Sequence, residues 1–218
     1  MLLRTFAVLA LLFTLPVPAT AATPHCSGYV ALTYDDGPHK QFTRPLLSAL
    51  QSVGARATFF NIGYNEEANP DLLRATVAAG MWLGNHSWSH PHLTKVDPAE
   101  LTKQLAETQR VTREIVGQTP TLFRPPYGDT NAAVEAEARR QGMAQVMWTV
   151  DTWDWAGVST EKIVKAASTA KAGGIILMHD GHRNTLAAVV PIVRDLRARG
   201  LCPGKIVNRD GTAVVTAP

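Results

Sequence analysis

Several familiar signatures are missing from this chain. No glycine-rich G-x-G-x-x-G follows the first strand-like run and no G-x-x-x-x-G-K-S/T occurs anywhere, which removes support for nucleotide binding. No block of five or more like charges occurs and the net charge is only +3, so nothing suggests a nucleic-acid partner. Charged residues make up 18% against 45% hydrophobic, an ordinary balance for a globular fold and too apolar for a disordered chain. The main apolar run, "FAVLALLFTL" (6–15), is too short for a membrane-spanning helix, which needs about 20 residues. Cysteine is limited to two residues and histidine to seven, yet three of those histidines fall within "GNHSWSHPH" (84–92).

Arg4, the apolar run and "PVPATAA" with Ala19 and Ala21 reproduce the layout of a secretory signal peptide. Residues 1–21 are therefore expected to be removed, leaving 22–218 as a single domain that is secreted and free of the membrane. Arg4 is the sole charged residue in that segment, so the mature net charge falls to +2. No lipid-attachment box precedes Cys26. In an oxidising compartment, Cys26 and Cys202 are expected to form a disulfide closing nearly the whole domain. Two buried free thiols are the alternative.

Short apolar runs then alternate with helical patterns, without linker or low-complexity stretches. Strands are expected at 28–34, 57–63, 81–85, 121–124, 144–150, 174–179 and 204–207. Helices are expected at 43–54, 70–80, 97–116, 131–141, 160–172 and 184–199, with Asp97, Pro98 and Glu100 forming a capping-box start. Regular alternation argues for a parallel sheet covered by helices, either a barrel or a doubly wound sheet. Polar residues cluster where strands end: Asp35–Asp36, His86, Arg124, Asp151 and His179. Barrel sites lie at the carboxyl ends of strands, so the expected fold is an α/β, distorted (β/α) barrel of about seven strands.

The strand-end pair in "LTYDDGP" (32–38) can place one carboxylate on a metal and the other toward substrate. His86 and His90, at i, i+4, are expected on one face of a helical turn. One Asp and two His make three ligands and leave a position open, as catalytic zinc sites require. Ser87 stands where zinc proteases of the H-E-x-x-H type carry Glu, which disfavours that class. His92, His25, His39 and His182 are expected to be structural. "NHS" (85–87) matches a glycosylation sequon that would crowd His86, and is discounted.

"TYDDGP" (33–38), "HSWSH" (86–90), "RPPYG" (124–128), "DTWDW" (151–155) and "ILMHD" (176–180) occur in that order. Together they resemble the five motifs of the NodB-type polysaccharide deacetylases, family 4 of the carbohydrate esterases. The resemblance covers about residues 28–200, and looks closest to small secreted acetylxylan esterases and chitin deacetylases. Tyr34 stands where Phe is commoner and Ile176 where Leu is usual; both aspartates are intact.

The resemblance implies that Asp36, His86 and His90 hold a divalent metal ion, zinc first, with cobalt or nickel as other candidates. It implies Asp35 as general base, Arg124 as its ion-pair partner, and the Tyr127 backbone N–H as an oxyanion donor. His179 would protonate the leaving group, supported by Asp154 or Asp151. Leu177 would wall the acetyl methyl pocket, and Trp155, with Trp153 and Trp88, would offer flat faces to sugar rings. The expected partner is an acetylated polysaccharide or oligosaccharide, and the expected state a monomer. The substrate stays open between acetylxylan, chitin oligomers and peptidoglycan. A non-catalytic carbohydrate-binding relative and an unrelated metal-dependent hydrolase are the competing classes.

Overall fold

A computed structural model describes residues 26–218. The expected signal peptide and His25 lie outside the described residues. β1 (Gly28–Asp35), β2 (Thr58–Asn61), β3 (Trp82–Asn85), β4 (Leu122–Phe123), β5 (Ala144–Gln145), β6 (Val150–Asp151) and β7 (Ile175–His179) form one parallel sheet in the order β5-β4-β3-β2-β1-β7-β6. The two ends of that path, β5 and β6, are joined by residues 146–149 alone, so the sheet curls into a nearly closed barrel.

That join corrects the sequence reading, which took 144–150 as a single strand. The segment is interrupted because it changes partner: Val146 N–H still donates to Phe123 O beside β4 at 2.7 Å, whereas Thr149 N–H donates to Ile175 O of β7 at 2.9 Å. An apolar run alone does not distinguish a straight strand from a corner.

The helices are α1 (Thr43–Ser52), α2 (Gly63–Ala68), α3 (Pro70–Ala78), α4 (Pro98–Val116), α5 (Ala132–Arg140), α6 (Thr160–Ala167) and α7 (Arg183–Ala198). α4 starts as expected, with the Asp97 carboxylate accepting from Glu100 N–H at 2.9 Å. α2 escaped the sequence reading, being only six residues long with too few turns for periodicity to register. The expected short strand at 204–207 is present and extends further in both directions, as β8 (Leu201–Arg209). It pairs in parallel with the start of β1 and, through a hairpin, antiparallel with β9 (Thr212–Thr216). Asp210 and Gly211 make that turn with φ of 52° and 84°, the conformation Asp-Gly pairs favour in tight hairpins.

Period-two alternation along β1 divides the protein. Val30, Leu32 and Tyr34 face the helices, packing with Leu46, Leu50, Ile163, Val189 and Ile192. Ala31 points into the barrel, with Phe60, Leu122, Ala144, Val146 and Ile206. Each large apolar side chain so buried contributes roughly 1.5–3 kcal/mol. Gly84 lets the Phe60 ring lie against β3, because a Cβ there would meet it at 2.3 Å. By the same alternation Asp35, at the carboxyl end of β1, points inward. Cys26 and Cys202 are disulfide-bonded, tying the start of β1 to β8.

Candidate active site

The carboxyl ends of β1, β3, β4, β6 and β7 open on one cavity of about 360 Å³. Asp35, Asp36, His86, His90, Tyr127, Asp151, Trp155, Leu177 and His179 all line it.

Asp35 is buried at the end of β1, where its Oδ1 accepts from Arg124 Nη1 at 2.8 Å. Arg124 is fully buried beneath the cavity; the same Nη1 donates to Thr33 Oγ1 at 2.7 Å, and the guanidinium lies 4.3 Å over the Phe60 ring. Burial pushes the guanidinium pKa down while Asp35 pulls it back up. A buried cation of this kind persists because its partner carboxylate is fixed beside it.

Asp36 follows with φ 71°, a left-handed conformation that sends its side chain away from that of Asp35. The histidines that meet it do not sit on a helical turn as expected. Residues 86–92 form an irregular loop after β3, with Ser87 and His90 both at φ 62°. The loop is tied by side chains instead: Asn85 Oδ1 accepts from Ser87 N–H at 2.9 Å, and Gln104 Oε1 accepts from Trp88 and Ser89 N–H at 3.0 and 2.9 Å. The two imidazoles do come together, but through this loop and not through i, i+4 helical spacing.

His86 Nδ1 lies 2.7 Å from the Arg124 carbonyl, which can only accept, so Nδ1 carries the proton and Nε2 is the free lone pair. His86 Nε2 and His90 Nε2 stand 3.4 and 3.3 Å from Asp36 Oδ1. That oxygen is buried and has no hydrogen-bond donor. Donor atoms from Asp36, His86 and His90 lie within 4.8 Å of one another, and this is a three-residue group that can hold a metal ion among the described residues. An orphaned carboxylate oxygen facing two imidazole lone pairs fits a divalent cation. Burial raises the Asp36 pKa, but the neighbouring His86 and His90 imidazoles bring it down to about 2. Burial and His86 lower His90 to about 4.

On the neighbouring strand β7, where His179 is the register partner of Asp35, His179 Nδ1 meets Asp154 Oδ1 at 2.8 Å, whereas Asp151 does not pair with it. Asp154 Oδ2 also accepts from His179 N–H at 2.7 Å and Thr185 Oγ1 at 2.5 Å. Asp151 lines the cavity and accepts from Trp153 N–H at 2.8 Å instead. Burial opposes the His179 charge, yet the Asp154 hydrogen bond, Asp35 and Asp36 raise its pKa to about 9.

Tyr127 occupies a tight turn, Pro126–Gly128, with φ 62°. The hydrogen bonds of the turn come from Gly128 and Asp129 N–H, not from Tyr127. The exposed Tyr127 ring stacks on His92 at 4.3 Å, and His92 is paired with Asp129 at 3.0 Å, outside the metal-ligand group. Trp155 and Trp153 are both exposed, with rings 5.1 Å apart. Trp88 is placed elsewhere: it packs over Gly63 and edge-on to Tyr64 at 6.3 Å, and does not line the cavity. Trp148 does line it and escaped the sequence reading, since it lies in the segment taken for a strand. Asn85 is buried, with Nδ2 donating to Leu105 O, so the sequon cannot carry a glycan in the folded protein.

A family model for polysaccharide deacetylase matches residues 22–146. The chain belongs to the polysaccharide deacetylase family. A solved family 4 carbohydrate esterase from Streptomyces lividans, in complex with acetate, is 46% identical with TM-score 0.85, covering 88% of this chain and 99% of that one. A bifunctional xylanase/xylan deacetylase from Cellvibrio japonicus is 40% identical, over 87% of this chain and 29% of its own length. A peptidoglycan-N-acetylglucosamine deacetylase from Listeria monocytogenes is 38% identical, over 78% of this chain and 36% of its own length. The chain thus spans about a third of the length of those two relatives. Among its described residues, no helix is long and apolar enough to cross a membrane.

Proposed function

We propose that the chain is a secreted, divalent-metal-dependent deacetylase that hydrolyses acetyl groups from acetylated glycans, with acetylxylan and chitin oligosaccharides as substrates. The observation that carries this is the pairing of opposite chemistries in one cavity. The Asp36–His86–His90 donor set, the Arg124-held Asp35 and the Asp154-held His179 all line it. Zinc suits the donor set, with cobalt or nickel as substitutes. The bound metal would supply Lewis acidity toward the acetyl carbonyl and toward water.

Asp35 takes the proton from the attacking water, kept ionised and aimed by Arg124. The Tyr127 N–H, unused by its own turn, donates to the oxyanion as the carbonyl becomes tetrahedral. His179 delivers its proton to the departing sugar oxygen or nitrogen, and Asp154 sustains the charge. Leu177 bounds the space for the methyl group. Trp155 presents an exposed face to a sugar ring, backed by Trp153. The protein acts as a monomer after loss of residues 1–21.

A peptidoglycan N-acetylglucosamine substrate is the second reading, favoured by the Listeria relative. Acetate release from acetylxylan, chitin oligomers and peptidoglycan separates the two, and release from none of them refutes a deacetylase. Asp35→Asn is expected to cut acetate release by at least about a hundredfold while retaining metal, because Asp35 is a base rather than a ligand. Equal loss of metal in that variant would overturn the division of labour between Asp35 and Asp36.

A further inference from the structure

The loops carrying the three candidate ligands leave different strands, β1 and β3, and neither is regular. Both are fastened to one place, the turn from the end of β2 into α2. Ile62 N–H donates to Gly37 O at 3.0 Å, on the Asp36 loop. Gly63 and Tyr64 N–H donate to Ser87 and Trp88 O, each at 3.0 Å, on the histidine loop. One side chain completes the bracket: Asn65 Nδ2 donates to the Asp36 carbonyl at 2.8 Å.

The Asp36 peptide needs such a hold. Its φ of 71° is a conformation non-glycine residues rarely adopt, and rotation of that carbonyl would swing Oδ1 away from the two imidazoles. Asn65 is itself well anchored. Its neighbour Glu66 is fully buried against Asn61 and Thr112, and Asn69 Nδ2 donates to the Asn65 carbonyl at 2.9 Å.

We infer that Asn65 is a positioning residue for the metal ligands, fixing the Asp36 peptide so that its carboxylate meets His86 and His90. The inference rests on the assignment of those three residues as ligands. Outer partners of ligands typically change metal affinity by about 10–100-fold when removed.

Zinc titration by calorimetry of the metal-free protein tests it, alongside thermal melts of the same samples. Asn65→Leu keeps the side-chain shape without the donor, and Asn65→Ala removes it without crowding neighbours. Both are expected to raise the zinc Kd by about tenfold or more while the metal-free melt stays close to wild type. Glu67→Ala, on the exposed face of the same helix, is expected to bind zinc as wild type does. Wild-type zinc affinity in either Asn65 variant overturns the inference and leaves the ligand assignment standing. A wild-type protein that binds no more zinc than His86→Ala overturns both.

Discussion

In the proposed reaction, His179 and its carboxylate neighbours set the working pH of the site. Against the opposing effect of burial, the imidazole is raised to about 9 by Asp154, which accepts from it at 2.8 Å, together with the charges of Asp35 and Asp36. An acid that must be protonated to act loses activity as pH rises through its pKa. The alkaline limb of kcat is therefore expected no higher than about pH 9, and lower still with a dication held nearby at Asp36. Asp154→Asn keeps the shape and removes the charge, and is expected to move that limb down by about 1–2 pH units. A limb that stays in place would assign the proton donor elsewhere. The sequence pointed to both Asp151 and Asp154, and no pattern in "DTWDW" could choose. The choice is made by the turn at Trp153, φ 58°, which leaves Asp154 behind His179 and Asp151 in the cavity.

α2 and α4 meet through a polar contact rather than an apolar one. Glu66 on α2 is completely buried, sharing hydrogen bonds with Thr112 on α4 and Asn61 at the end of β2. Burial raises its pKa from 4.5 to about 8, overriding the hydrogen bonds that favour the charged form. The unfolded chain releases this proton near pH 4.5, whereas the folded protein holds it to about pH 8. Between those values the folded state binds more protons, so this group makes stability fall as pH rises. Glu66→Gln is expected to remove that decline. Its melting temperature relative to wild type should increase between pH 5 and pH 8, by an amount on the order of a few kcal/mol in stability. A constant difference across that range would mean that Glu66 is ionised in the fold. Nothing in "GYNEEANP" marks Glu66 over Glu67 as the buried one. Burial there depends on α4, which arrives from far along the chain.

The whole molecule is closed twice, by the curled sheet and by the Cys26–Cys202 bond with a sequence separation of 176. A crosslink of that span removes much of the freedom of the unfolded chain. Replacing both cysteines by serine is expected to cost about 2–5 kcal/mol, a melting-temperature fall on the order of 10 °C. Thermal denaturation of the double variant checks this; an unchanged melt would mean that the pairing of β1 with β8 already supplies the constraint. Legibility at this scale followed periodicity. Long amphipathic segments such as α4 and α7 were clear, because their buried faces repeat over several turns. The two-residue strands β5 and β6 were not, since they exist only where neighbouring strands pair with them.

Alone, the sequence determined the order of β/α elements, the residue types at strand ends and the five motifs that tie the chain to its family. These are local properties, written in side-chain chemistry and spacing. Only the tertiary structure decided which Asp supports His179, that the histidine pair lies on a loop rather than a helix, and that Trp88 packs away from the cavity. Each of those outcomes depends on backbone torsions in irregular segments. Contacts from distant strands and helices select those torsions, and the local sequence leaves them free.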